Sequence, residues 1–125
     1  MKDTISHLHI IIKDWIREIQ FYKSEIPLFR KRLEEIASDY TSSDVLAQVD
    51  HFENRLLIMR NHYDELLHDL NLKEQEILGK AAINPKYINA KMVEIDDKII
   101  ELIDYTANEF KNFKSEFYKF LAKYM

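Results

Sequence analysis

The chain contains no cysteine, which excludes disulfides, thiolate metal ligands and thiol nucleophiles together. That fits a reducing compartment, and the cytoplasm is the expected location. One glycine, Gly79, and two prolines, Pro27 and Pro85, are spread over 125 residues. These are too few to punctuate a many-stranded fold, so long helices are expected. A single glycine cannot build a phosphate cradle either. There is no Gly-x-Ser-x-Gly elbow, and no helical serine falls beside both a histidine and a buried carboxylate. An enzyme is therefore not expected, nor a cofactor or a small-molecule substrate. No apolar run reaches the ~20 residues that span a bilayer as a helix. The run Ile10-Ile11-Ile12 is short and flanked by His9 and Lys13, unlike a secretory segment. A soluble chain without membrane insertion is expected.

What the chain does have is 46% hydrophobic and 32% charged residues, enough apolar surface to fold as a single domain over residues 1–125. The net charge of −4 arises in residues 41–84, since each flank carries equal numbers of acids and bases. The basic clusters Arg30-Lys31-Arg32 and Lys111, Lys114, Lys119, Lys123 are diluted by Glu34, Glu35, Glu109 and Glu116. Neither forms the basic stripe that phosphate binding needs, so nucleic acid is not an expected partner.

Three apolar stripes follow heptad spacing. The first runs through Ile5, Leu8, Ile12, Trp15, Ile19, Tyr22, Ile26, Phe29, Leu33, Ile36 and Tyr40. The second runs through Val45, Val49, Phe52, Leu56, Met59, Tyr63, Leu66, Leu70, Lys73 and Ile77, with Lys73 its one polar member. The third runs from Ile88 through Met92, Ile95, Ile99 and Ile103 to Thr106, Phe110, Phe113, Phe117, Phe120 and Tyr124. Spacing of three and four places each stripe on one helical face. Helices are predicted over about 4–40, 43–78 and 85–124. Asp3 or Thr4 is expected to cap the first, Thr41 to Ser43 the second, and Asn84 with Pro85 and an Ile83/Ile88 staple the third. Pro27 is expected to kink the first helix without ending it, and Gly79 to end the second as its C′ residue.

Short loops force antiparallel neighbours. The expected fold is all-α: an up-down-up antiparallel three-helix bundle with coiled-coil-like heptad packing, which a second chain could complete as a dimer. The stripes predict layers such as Tyr22/Tyr63/Leu102, Phe29/Leu56/Phe110 and Leu33/Phe52/Phe113.

Two function classes survive these exclusions. The first is a non-enzymatic interaction or structural module acting through helix faces on a protein partner or on itself. Leu28 and Ile58 are apolar at outer positions that flank one groove of the helix 1–helix 2 pair, with Arg32 and Arg55 at its rim. Either the third helix fills that groove, or it lies on the opposite side, where Ile16/Leu67 and Ala37/Leu46 meet, and the groove receives a partner. The second class is a carboxylate/histidine metal-binding bundle, for which Glu65-x-x-His68 is the candidate element. No second copy of that element exists, and the register turns both side chains outward. Two histidines face carboxylates across the seams: His9 faces Glu74 and His62 faces Glu25.

Overall fold

The computed structural model describes the backbone of residues 2–83 and 90–125 and the side chains of residues 7–79 and 97–125. The chain is all-α, with α1 over Lys2–Asp39, α2 over Ser43–Ile83 and α3 over Ala90–Tyr124. There is no strand among the described residues, and no helix is long and apolar enough to cross a membrane.

Local chemistry accounts for most of these boundaries. The Tyr40 N–H donates to the Ile36 carbonyl at 3.1 Å, closing the last turn of α1, and two residues later the Ser42 carbonyl accepts from the Leu46 N–H. Ser42 is thus the N-cap of α2, with Asp44 in the first turn against the positive end of the helix dipole. At the chain's other end Lys123 lies in the last turn of α3, where a cation faces the negative end.

Two boundary expectations are corrected. Helix α1 begins at Lys2, so Asp3 and Thr4 lie within its first turn and do not precede it. Helix α2 runs through Gly79 to Ile83, and no glycine has positive φ. Gly79 is an interior helical residue because Lys80, Ala81 and Ala82 after it are good helix formers that carry the helix onward. The expected cap and staple at Asn84, Pro85 and Ile88 lie outside the described residues. Pro27 stands inside α1, which continues through it. Its missing N–H leaves the Lys23 carbonyl without a helical donor, but Ile26 and Phe29 beside it are buried in the core and hold the turn in place.

Helices α1 and α2 run antiparallel, in the alignment their stripes imply. The Tyr22 and Tyr63 rings lie 5.9 Å apart, with His9 opposite Glu74 and Lys23 opposite Asp64 further along. Ile12, Ile19, Leu33, Ile36, Leu56, Leu70 and Ile77 are all but fully buried along this seam. Trp15 is only partly buried while Ile16 next to it is buried, so the apolar face is broader than a two-position stripe.

Helix α3 lies antiparallel to α2 and parallel to α1, one to two turns away from its expected level. Tyr22 stacks on Phe110 at 4.3 Å, where the stripes had placed Leu102. The ring nearest to Phe29 on α3 is Phe117 at 5.0 Å, with Phe113 at 5.7 Å and Phe110 at 6.3 Å. Phe52 approaches Phe120 most closely, at 4.9 Å. Phe110, Phe113, Phe117 and Phe120 present the same side chain on successive turns of one face, so the pattern alone does not choose which of them meets Phe29.

Candidate functional site

The α1–α2 pair has two long grooves, and their chemistry differs. One carries Gln48, Arg55 and His62 on the α2 side, and α3 occupies it. The Arg55 guanidinium bonds the Glu116 carboxylate and lies over the Phe52 and Phe113 rings, 5.8 and 5.0 Å from their centroids. The Tyr40 hydroxyl donates to the Tyr124 carbonyl at 3.0 Å, which ties the start of the first loop to the end of α3. The bond from Arg55 holds the Glu116 carboxyl below the usual carboxylate range.

His62 faces Thr106 at 3.1 Å, not the expected Glu25, because α3 stands in that groove. The Thr106 hydroxyl donates its one hydrogen to the Leu102 carbonyl at 2.7 Å. His62 Nε2 must therefore carry a hydrogen and donate to Thr106 Oγ1, which fixes the tautomer of the neutral ring. Tyr63, fully buried beside this pair, has a hydroxyl with no hydrogen-bond partner among the described residues, and one Glu109 oxygen is likewise buried and unpaired among them. Burial, then the Glu109 charge, then Tyr22 push the Tyr63 hydroxyl well above the usual tyrosine range. The Tyr22 hydroxyl is pushed the same way by burial and by its 2.8 Å bond to Glu18.

The opposite groove is open. Its floor and walls belong to α1 and α2 alone: a crevice of about 170 Å³ is lined by Ile26, Arg30, Glu53, Asn54, Leu56, Leu57 and Arg60. Beside it a shallower hollow of about 600 Å³ adds Lys23, Pro27, Lys31 and Glu34. Arg30, Lys31 and Arg60 are exposed and make no hydrogen bond or ion pair with the described residues, whereas Lys23 is paired with Asp64. The groove therefore combines an apolar floor with three cations whose donors face water, on a chain whose net charge is −4. Further along it, Glu74 is buried with its Oε1 at 3.2 Å from Lys13 Nζ and 3.5 Å from His9 Nδ1. The histidine contact is not an aligned hydrogen bond. Lys73 is buried in the core, and its ammonium group has no hydrogen-bond partner among the described residues.

The sequence candidates scatter relative to these grooves. Leu28 and Ile58 are 57% and 67% exposed, and they flank the groove that α3 fills, so they do not meet each other across it. Arg55 is engaged by α3, and Arg32 pairs with Glu35 one turn along its own helix. Glu65 and His68 are both exposed, and no group of three or more histidines, aspartates or glutamates among the described residues could hold a metal ion. The Arg30/Arg60 crevice was not singled out from sequence. Its signal was present, since Lys23/Arg60 and Arg30/Glu53 occupy the same seam as His9/Glu74 and Ile16/Leu67. No family model matches the chain, and no curated protein or solved structure matches it either.

Proposed function

We propose that the chain is a non-enzymatic helical interaction module, working in a reducing cytoplasm, whose docking face is the open α1–α2 groove and whose partner is an acidic amphipathic helix. The observation that carries this reading is the convergence of Arg30, Lys31 and Arg60 over a floor made by Ile26, Leu56 and Leu57, with no α3 residue above it among the described residues. A groove between two antiparallel helices accepts a further helix by the same side-chain interdigitation that seats α3 on the other side. Guanidinium groups present paired donors that match a carboxylate, so aspartates or glutamates on such a helix complete contacts the chain itself leaves unmade.

The test uses a synthetic, dye-labelled helical peptide with leucine at a and d and glutamate at e and g. Fluorescence anisotropy should show saturable binding that weakens as salt rises. A peptide with lysine in place of glutamate should not bind. The double variant Arg30→Glu/Arg60→Glu should lose at least about tenfold in affinity with its circular dichroism and melting temperature unchanged. Equal binding of both peptides, or an unaffected double variant, overturns the reading.

A further inference from the structure

The cations of the open groove are arranged on a diagonal about the crevice. By the alignment that sets His9 opposite Glu74, Lys23 stands level with Arg60 and Arg30 with Glu53, the two levels being one heptad or about 10 Å apart. Between them lies the crevice of about 170 Å³, with Ile26 and Leu56 buried at its floor and Leu57, 51% exposed, at its lip. At one end Lys23 is paired with Asp64, so the free cation is Arg60, on α2. At the other end Glu53 stands on the α2 side and repels an incoming carboxylate, which is accepted only on the α1 side, by Arg30 and Lys31.

We infer that the crevice is a socket for one large apolar side chain of the docked helix, flanked in that helix's sequence by an acidic residue on each side, one for Arg60 and one for Arg30. This rests on the groove reading and names the anchor within it. The floor is apolar, so water in the crevice finds hydrogen-bond partners only at the rim, and an apolar side chain gains by displacing it. A cavity of about 150 Å³ with aliphatic and aromatic walls takes one benzene-sized molecule, which matches this crevice to a single side chain of leucine or phenylalanine size. The anchor sits between the two arginine levels. Carboxylates that precede it in the sequence therefore reach one arginine only, and those that follow it reach the other. Acids on both sides are needed to engage both guanidinium groups at once.

The test uses dye-labelled helical peptides with alanine at every inward-facing position except a central leucine, and with two glutamates on each side of it. Fluorescence anisotropy should show saturable binding. Replacing the leucine by alanine should weaken it by at least about tenfold, the scale of a lost methylene or more in an apolar pocket. Moving all the glutamates to one side of the leucine, at unchanged composition, should also weaken it by about tenfold. On the chain, Leu57→Gln changes an exposed lip residue, so the melting temperature should hold. It should weaken the leucine peptide and leave the alanine peptide unchanged, which marks a direct contact between the two leucines. Leucine and alanine peptides that bind alike overturn the inference, as does a one-sided peptide that binds as well as the two-sided one. So does a loss at Leu57→Gln shared equally by both peptides. If the leucine-rich acidic peptide of the groove test still binds, the failure belongs to the socket alone; if that peptide fails too, the groove reading falls with it.

Discussion

The two grooves of the α1–α2 pair start from similar material and end differently. Each is bordered by arginines, and each has apolar residues on its floor. In the groove that α3 fills, Arg55 has a carboxylate to bond and aromatic faces to lie on. In the open groove Arg30 and Arg60 have neither among the described residues. The difference comes from α3, whose inner face is a run of phenylalanines. Phe113 and Phe117 are completely buried in the filled groove, whereas the open groove has walls carrying Lys23, Arg30, Glu53 and Arg60, whose charges are costly to cover with phenylalanine. A charged seam is thus left to water, or to another molecule that brings charge.

The strongest way to break the comparison is to remove the aromatic lock from the filled side. Phe117 is fully buried and lies 5.0 Å from Phe29, 5.5 Å from Phe52 and 5.5 Å from Phe113. Phe117→Ala should cost about 3–5 kcal/mol through lost burial and the cavity left behind. Urea denaturation measures this. A loss below about 1 kcal/mol would mean that α3 is not held as described.

Next in size is Arg55→Ala, which removes one charge-assisted bond to Glu116 and the guanidinium over two rings. A cost of about 1–2 kcal/mol is expected from these contacts together. The depressed Glu116 carboxyl adds a direction in pH. Its contribution is present above the ordinary carboxylate range and is lost as pH falls through its folded value. The difference between wild type and Arg55→Ala should therefore shrink in acid, which paired melts at neutral and acid pH would detect.

The same groove holds a defect. Tyr63 is buried near Glu109 with a hydroxyl that has no hydrogen-bond partner among the described residues, and an unsatisfied buried polar group is unfavourable. Tyr63→Phe should stabilise the fold by about 1 kcal/mol. It should also extend the alkaline limit. A tyrosine raised in the folded state costs nothing below pH ~10, where both states keep the proton, and weakens the fold above it as the unfolded chain ionises first. Tyrosinate absorbance from Tyr22 and Tyr63 should appear only with loss of helical signal. Their ionisation in a chain still fully helical would show that these hydroxyls reach water.

How much of this was legible in the sequence follows from which contacts are local. The pairing of α1 with α2 could be read because a three-residue loop, 40–42, fixes the starting level and the stripes then have one consistent alignment. The level of α3 could not. Gly79 suggested a helix end that the following lysine and alanines override, and the phenylalanines repeat too regularly to mark a unique level. The choice of groove was open for a related reason, since the apolar residues Leu28 and Ile58 pointed to one side and Ile16 and Leu67 to the other. The packing of α3 decided it, and that depends on long-range burial that no local motif encodes.

Gly79 offers a smaller effect away from both grooves. A methyl group added there meets no described atom within 4 Å beyond its chain neighbours and its own helix backbone, and the backbone is ordinary helix. Gly79→Ala should therefore stabilise by about 0.5–1 kcal/mol, mainly by restricting the unfolded chain. A loss of stability would indicate that α2 ends at Gly79 after all.

The smallest expected effect is the most informative about function. Arg30 and Arg60 are exposed, and among the described residues they bond nothing. Truncating either removes a side chain whose charge is already solvated in the folded and unfolded states alike, so Arg30→Ala and Arg60→Ala should each change stability by less than about 0.5 kcal/mol. The same substitution at Arg55 is costly, so the three arginines form an internal control with identical chemistry and different surroundings. Near-zero values at Arg30 and Arg60 together with weakened binding of the acidic peptide separate a docking role from a folding role. Losses at these two positions as large as at Arg55 would instead show that the open groove is held together by its own charges, and that its cations are not free for a partner.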